Sequence, residues 1–327
     1  RITSIFVFYN LSMGKTSLIQ LLNIKYPIIM APMFLVTNTK MMIEALNSEI
    51  AACVPALNYR TDQELRDAIL QIRNQTNSSA LGINLIVNKS NIKLKKQLQS
   101  CLDLEVDFII TSLGSPKEII QKCKAKGIKV FCDVINLEMA LKVQDLNADG
   151  IIAVNNSAGG HLGKLSATEI INQFKDEINI PVISAGGVGT KAGIAEKIDM
   201  GFSGVSIGSP FIACEEADIS QEYKNACVDY GKEDIVISTK ISGSPCTVIN
   251  TPYVQKVGTQ QNWLESVLSK NKKLKRWVKM ITFLKGMKSV EKAAFSATYK
   301  TIWCAGTSIE HTKEILPVKE IVNRLIK

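Results

Sequence analysis

The sequence predicts an α/β protein built on a closed, parallel (β/α)8 barrel of the TIM type, with a mostly helical inserted cap near the C-terminus. Three observations predict it. Short apolar runs alternate with helix-like stretches from residue 26 to residue 229, giving eight β-α units in succession, and such a series argues for a closed barrel over an open sheet. Two glycine clusters, NNSAGGHLGKL at 155–165 and SAGGVGT at 184–190, each follow an apolar run and precede a helical pattern. Finally, 327 residues with 46% apolar and 21% charged side chains can bury a full core, as one large barrel or as two ordinary domains.

Taken in order, YPIIMAPMF at 26–34 is a nearly continuous apolar run, as expected of a strand buried on both faces, and Pro32 suits its end because it has no N–H for the ladder. Helix is expected at 39–47 and strand at 49–54. Residues 62–73 form a helix opened by Thr61 as its cap, and 81–87 a strand. Helix 92–102, strand 107–111 and helix 116–126 follow, the last with Pro116 at its start and Gly127 just past its end. Then come strand 129–133, helix 137–146, strand 150–154, helix 167–174, strand 181–185, helix 190–200 and strand 204–207. Residues 218–229 are expected to be the eighth helix. After residue 231 the alternation breaks, and 232–300 reads as a helical cap over the barrel mouth, with 301–327 returning to the barrel. The barrel proper is expected to span 13–231.

The stretch RITSIFVFYNLS at 1–12 is expected to be upstream of a start at Met13, and its apolar core lacks the small-residue cleavage site of a signal peptide. Gly14-Lys15-Thr16 does not make a phosphate-binding P-loop, because that motif needs glycine where Tyr9 stands. The net charge of +9 is concentrated in Lys270, Lys272, Lys273, Lys275, Arg276, Lys279, Lys285 and Lys288. Without a nucleic-acid-binding motif, that run reads as a solvated helix face or the rim of a mouth for anionic substrates. Eight cysteines with no C-x-x-C pair read as small buried hydrophobes in a reducing cytoplasm, with no metal site. Cys246 and Cys304 show no base nearby in sequence and are expected to be inert packing. No apolar run reaches membrane-spanning length.

In such barrels a phosphate is gripped by the loops after the seventh and eighth strands. Here these are Ser184-Ala185-Gly186-Gly187 and Gly208-Ser209-Pro210-Phe211, whose backbone N–H groups fit the phosphate of a cofactor such as FMN; glycines that merely make tight turns are the alternative. Ala31, Pro32 and Met33 at the end of the first strand would lie against a flavin ring, although Met33 alone suits a core gap equally well. Asn84 at the end of the third strand suits a ribityl or phosphate contact. Asp133 is open between a polar partner of the ligand and a solvated acid. His161, one of two histidines, follows two glycines in the first cluster and is a general-base candidate; the alternative is a histidine that hydrogen-bonds its own loop.

Together IIMAPM, LGINLIV, NNSAGGHLG, SAGGVGT, GVSIGSPFIACEEA and WCAGTSIE resemble, in order and spacing, the nitronate monooxygenase family, once called 2-nitropropane dioxygenases. The resemblance runs from about residue 21 to the C-terminus. It implies an FMN-dependent barrel that oxidises alkyl nitronates with molecular oxygen to a carbonyl compound and nitrite. It places the family's base on His161, its flavin-side strand end on Met30 to Met33, and its ribityl and phosphate contacts on Asn84, Gly159, Gly160, Gly186, Gly187, Gly208 and Ser209. A further flavin contact falls near Ala305 and Gly306. Many relatives read G-T-R-F where this chain has Gly208-Ser209-Pro210-Phe211, and some carry lysine at the position of Asp133. The same motifs occur in FMN-dependent NAD(P)H reductases of quinones and of enoyl-acyl-carrier-protein thioesters, which is the alternative reading. The expected partners are a small substrate and oxygen, with a homodimer left open.

Overall fold

The computed structural model describes residues 17–88, 91–239, 244–260 and 302–327. The expected Met13 start, most of the expected helical cap and the whole lysine-rich run lie outside the described residues. In chain order the strands are β1 (Ile28–Met30), β2 (Ala51–Pro55), β3 (Leu81–Ile86), β4 (Phe108–Ser112), β5 (Lys129–Val134), β6 (Gly150–Val154), β7 (Gly160–His161), β8 (Val182–Ala185) and β9 (Gly204–Ile207). All except β7 form one closed parallel barrel, sealed where β9 pairs with β1 through Ile28 opposite Val205 and Met30 opposite Ile207.

Side-chain size along the strands positions the site. In the register Gly82 lies beside Phe108, and Gly150 beside Phe131. The two rings meet edge to face with centroids 5.6 Å apart and planes at 85°, and a side chain at Gly82 would run into the Phe108 ring. These rings fill the amino-terminal half of the barrel. Two residues further along the same strands, Asn84, Ile110 and Asp133 point the same way and open onto a cavity. The amino-terminal end is closed by α1 (Leu18–Leu22), whose Ser17–Gln20 capping box fixes its start and whose Leu18, fully buried, packs under Gly204.

Outside lie α2 (Thr39–Asn47), α3 (Asp62–Gln75), α4 (Leu94–Asp103), α5 (Lys117–Lys124), α6 (Leu137–Asp145), α7 (Ala167–Phe174) and α8 (Lys191–Asp199). Asn38, Thr61, Asn136, Ser166 and Thr190 each cap the first turn of the helix that follows them. On α3 the buried residues Leu65, Ala68, Ile69 and Ile72 form one apolar stripe against the sheet. Arg73 on the same helix forks onto both carboxylate oxygens of Asp107 at 2.8 and 3.0 Å, tying α3 to the start of β4.

Three departures from the sequence-based expectation affect the site. First, β1 ends at Met30 instead of running on to residue 34, because Met33 N–H turns away to the Thr37 hydroxyl at 2.9 Å. Second, the outer-ring place between α8 and α2 is taken by the C-terminal helix α11 (Val318–Ile326). The expected eighth helix, observed as α9 (Gln221–Asp229), instead packs beside residues 302–311: its Tyr223 stacks on Trp303 and donates to the Cys304 carbonyl at 2.6 Å. Third, the region after residue 231 opens with an antiparallel hairpin of β10 (Ile235–Ser238) and β11 (Cys246–Ile249), followed by the short helix α10 (Pro252–Val257). β11 also pairs with β7, so a small sheet in the order β10-β11-β7 lies over the glycine loop. Among the described residues no helix is long and apolar enough to cross a membrane.

Candidate active site

A cavity of about 600 Å3 opens at the carboxyl ends of the barrel strands. One wall is built from the glycine loops that follow β6, β8 and β9, and the opposite wall from the ends of β3, β4 and β5. Ala31, Pro32 and Met33 after β1 and Ala305 from the terminal segment complete it.

The glycine loops are packed backbone to backbone. A Cβ on Gly159 would come within 2.9 Å of the Gly306 nitrogen, and one on Gly306 within 2.6 Å of the Gly159 nitrogen, so neither position accepts a side chain without backbone movement. The Gly306 N–H donates to the Ser209 hydroxyl at 2.8 Å, which leaves the hydroxyl proton of Ser209 to be given to a ligand. Gly186 sits at φ 116° against Asn155. Asn155, almost fully buried, accepts from Ser157 N–H at 2.8 Å and donates to the Gly186 carbonyl at 3.0 Å, joining the first glycine cluster to the second. Gly160, Gly187 and Gly208 all border the cavity, and α8 begins just beyond Gly187, adding the positive end of its dipole.

The opposite wall carries a polar chain. The Asn84 amide donates to the Ser112 hydroxyl at 2.8 Å and to the Ile110 carbonyl at 3.0 Å, and the Ser112 hydroxyl donates to the Asp133 carboxylate. Burial pushes the Asp133 carboxyl up to about 6, only partly offset by the Ser112 hydrogen bond. Asp133 is therefore a desolvated cavity acid, not a solvated one. Ser112 was not singled out by sequence, although a polar residue closing an apolar strand at the carboxyl end of the barrel is the pattern that marks such positions.

His161 borders the cavity from β7. Its loop is clamped by the hairpin: Cys246 and Thr247 pair with His161 and Gly160, and the Thr247 hydroxyl donates to the Ala158 carbonyl at 2.8 Å. The surrounding protein desolvates the imidazole and lowers its pKa, so the ring is uncharged and able to accept a proton at neutral pH.

Three expected site residues do not reach the cavity. Met30 is fully buried in the core at the end of β1. Ser184 pairs across the sheet with Ala153 and Val205, one residue out of phase with the cavity-lining Ala185, and its buried hydroxyl has no partner among the described residues. Gly306 stands behind Ala305 and acts through Ser209. The other expected residues, Ala31, Pro32, Met33, Asn84, Asp133, Gly159, Gly160, His161, Gly186, Gly187, Gly208, Ser209 and Ala305, all line the same cavity.

The family model for nitronate monooxygenase matches residues 92–327. The chain belongs to the nitronate monooxygenase family. A probable nitronate monooxygenase of Staphylococcus saprophyticus is 27% identical, with 74% of this chain and 81% of that protein covered. A (3aS,4S,5R,7aS)-5-hydroxy-7a-methyl-1-oxo-octahydro-1H-indene-4-carboxyl-CoA dehydrogenase of Rhodococcus jostii is 26% identical over 73% of this chain and 67% of its own length. Among solved structures, FabK from Thermotoga maritima superposes with a TM-score of 0.81 at 25% identity, covering 95% of this chain and 94% of its own. A nitroalkane oxidase from Streptomyces ansochromogenes shares the fold at a TM-score of 0.76 and 18% identity, over 95% of this chain and 96% of its own. Within this family the chain is a flavin-type oxidoreductase, and the glycine wall with its facing polar chain is the place where its residues suit a flavin.

Proposed function

We propose that this family member binds FMN in the barrel-mouth cavity and oxidises alkyl nitronates with molecular oxygen, giving a carbonyl compound and nitrite. The observation that carries the reading is His161, an uncharged imidazole held by the hairpin at the edge of a flavin-sized cavity. The backbones of Gly186, Gly187 and Gly208 and the Ser209 hydroxyl suit the phosphate of FMN, and Asn84 suits its ribityl chain. When bound, FMN supplies the group that accepts electrons from the substrate and passes them to oxygen.

The remaining chemistry belongs to the chain. An unprotonated ring nitrogen of His161 takes the α-proton of a neutral nitroalkane, making the nitronate in place. Ile110, Ile152 and Leu162 line the cavity beside His161 and suit the alkyl part of such a substrate.

A second reading is reduction of enoyl thioesters or quinones by NADH or NADPH. It is favoured by the apolar rim of Leu113, Ile135 and Met139, which are 46, 40 and 38% exposed at the mouth and suit an acyl chain, and by the extent of the FabK superposition. Anaerobic addition of an alkyl nitronate in one cuvette and of NADH or NADPH in another separates the two. Bleaching of the flavin absorbance by the nitronate alone is the expected result. Bleaching by the nicotinamide alone would transfer the assignment to the reductases.

A further inference from the structure

Six of the eight cysteines, Cys53, Cys101, Cys123, Cys132, Cys214 and Cys227, are buried away from the cavity. Burial raises the pKa of each of them, to about 12 for Cys123, Cys132 and Cys214. Cys246 and Cys304 differ in three respects. Both line the cavity, Cys304 partly exposed and Cys246 2% exposed. Cys304 packs against Cys246, whose thiol donates to the Ser238 carbonyl at 3.2 Å. Cys246 also stands directly across the β11–β7 ladder from His161; in an antiparallel pair such residues project from the same face with Cβ atoms roughly 4.5–5.5 Å apart. A thiol, a second thiol and an uncharged imidazole are thus gathered from β11, the terminal segment and the glycine loop.

We propose that Cys246 and Cys304 form a peroxide-responsive dithiol that closes to a disulfide across the roof of the cavity. The chain of events balances without an external reductant. His161 accepts the Cys246 proton, and the thiolate attacks one oxygen of a hydroperoxide. The O–O bond breaks, a sulfenic acid forms on Cys246, and the departing oxygen leaves as water or alcohol with the proton returned by His161. The Cys304 sulfur then attacks the oxidised sulfur, forming the S–S bond and expelling water. Two thiols are oxidised and one peroxide is reduced. Cys246 is the thiol that stands across the ladder from His161, and the neighbouring Cys246 and burial both raise the pKa of Cys304, which casts Cys246 as the attacking sulfur and Cys304 as the resolving one. The bond would strap β11 to the segment that carries Ala305 and Gly306 against Ser209, joining roof to wall.

The test is treatment of the reduced, folded holoprotein with hydrogen peroxide in modest molar excess, followed by alkylation and peptide mapping without reductant. The expected result is loss of two alkylatable thiols and one cross-linked peptide pair joining Cys246 to Cys304, restored by dithiothreitol, with the other six cysteines untouched. In Cys304→Ser, Cys246 is expected to accumulate a sulfenic acid that a dimedone probe traps, with no intramolecular cross-link. In His161→Gln the cross-link is expected to form more slowly at neutral pH. Cys246 and Cys304 remaining as unreactive as the six core thiols would overturn the proposal, as would cross-links that join other cysteine pairs equally often.

Discussion

His161 is held between two neighbours with different demands: a cavity that needs an uncharged base, and a hairpin that fixes the loop carrying it. Replacing it by alanine removes the base and keeps the backbone pairing of β7 with β11. His161→Ala is expected to retain flavin while losing about 10²–10⁴-fold in turnover of neutral nitroalkanes, with a smaller loss on preformed nitronates. Steady-state kinetics with both forms of one substrate checks this, and equal losses on the two would remove the base assignment. Asp133 makes a pH prediction. Its carboxyl titrates near 6 in the folded chain against an ordinary value of 3.8, so between those values the folded protein binds a proton that the unfolded chain has released. The contribution of Asp133 to stability is therefore greatest below about pH 4, falls as pH rises through about 6, and stays lower by roughly 1–3 kcal/mol above it. Asp133→Asn is expected to flatten that slope and to be the more stable protein above about pH 7, as read from thermal unfolding of the flavin-free forms across this range. Parallel profiles for the two proteins would contradict the assignment. The sequence marks Asp133 as a polar residue at a strand end; its raised pKa follows from burial among residues that arrive from other strands, such as Ile110 and Ile152, against the opposing hydrogen bond from Ser112.

At the level of elements, the β10–β11 hairpin matters most for the site. The Thr247 hydroxyl serves the Ala158 carbonyl, and both residues are buried. Thr247→Val keeps the shape and removes the donor, leaving a buried carbonyl short of a partner at a cost of roughly 1–3 kcal/mol. The expected outcome is a lower unfolding midpoint together with a raised KM, since the loop that presents His161 loses its clamp. A variant with unchanged kinetics would show that β7 needs only its backbone pairing. This hairpin was not legible in the sequence. IVIS and CTVI are each only four residues long, and what makes β11 the centre of a sheet is its pairing with Gly160 and His161, more than eighty positions away. The glycine clusters were legible because the reasons for them are local: an apolar run, a sharp turn and a capped helix follow one another in the chain.

At the scale of the whole molecule, the barrel gathers loops from distant parts of the chain into one cavity, and a flavin bound there should stabilise the folded chain by mass action. Free FMN at about one hundred times its dissociation constant is expected to add about 2.7 kcal/mol, seen as a rise in the thermal midpoint on reconstituting the flavin-free protein. Gly159→Ala is expected to abolish that rise, because its methyl group would lie 2.9 Å from the Gly306 nitrogen and force the two loops apart. A shift as large as the wild type's would place the flavin elsewhere.

By itself the sequence determined the barrel, since eight apolar runs spaced by helices admit few other closures, and it marked the glycine loops and His161 as candidates, because the pattern that singles them out lies in adjacent residues. All but three of the expected site residues line one cavity. Only the tertiary structure decided which side of a strand each residue faces, turning Ser184 to the helices and leaving Met30 in the core, because parity is fixed by the register of neighbouring strands. Only it decided that α11, and not α9, completes the outer ring, because the groove between α8 and α2 is filled by whichever amphipathic helix can reach it. And only it brought Cys246, Cys304 and His161 together, since contacts between segments far apart in the chain are made by packing and leave no periodic trace in the residues that make them.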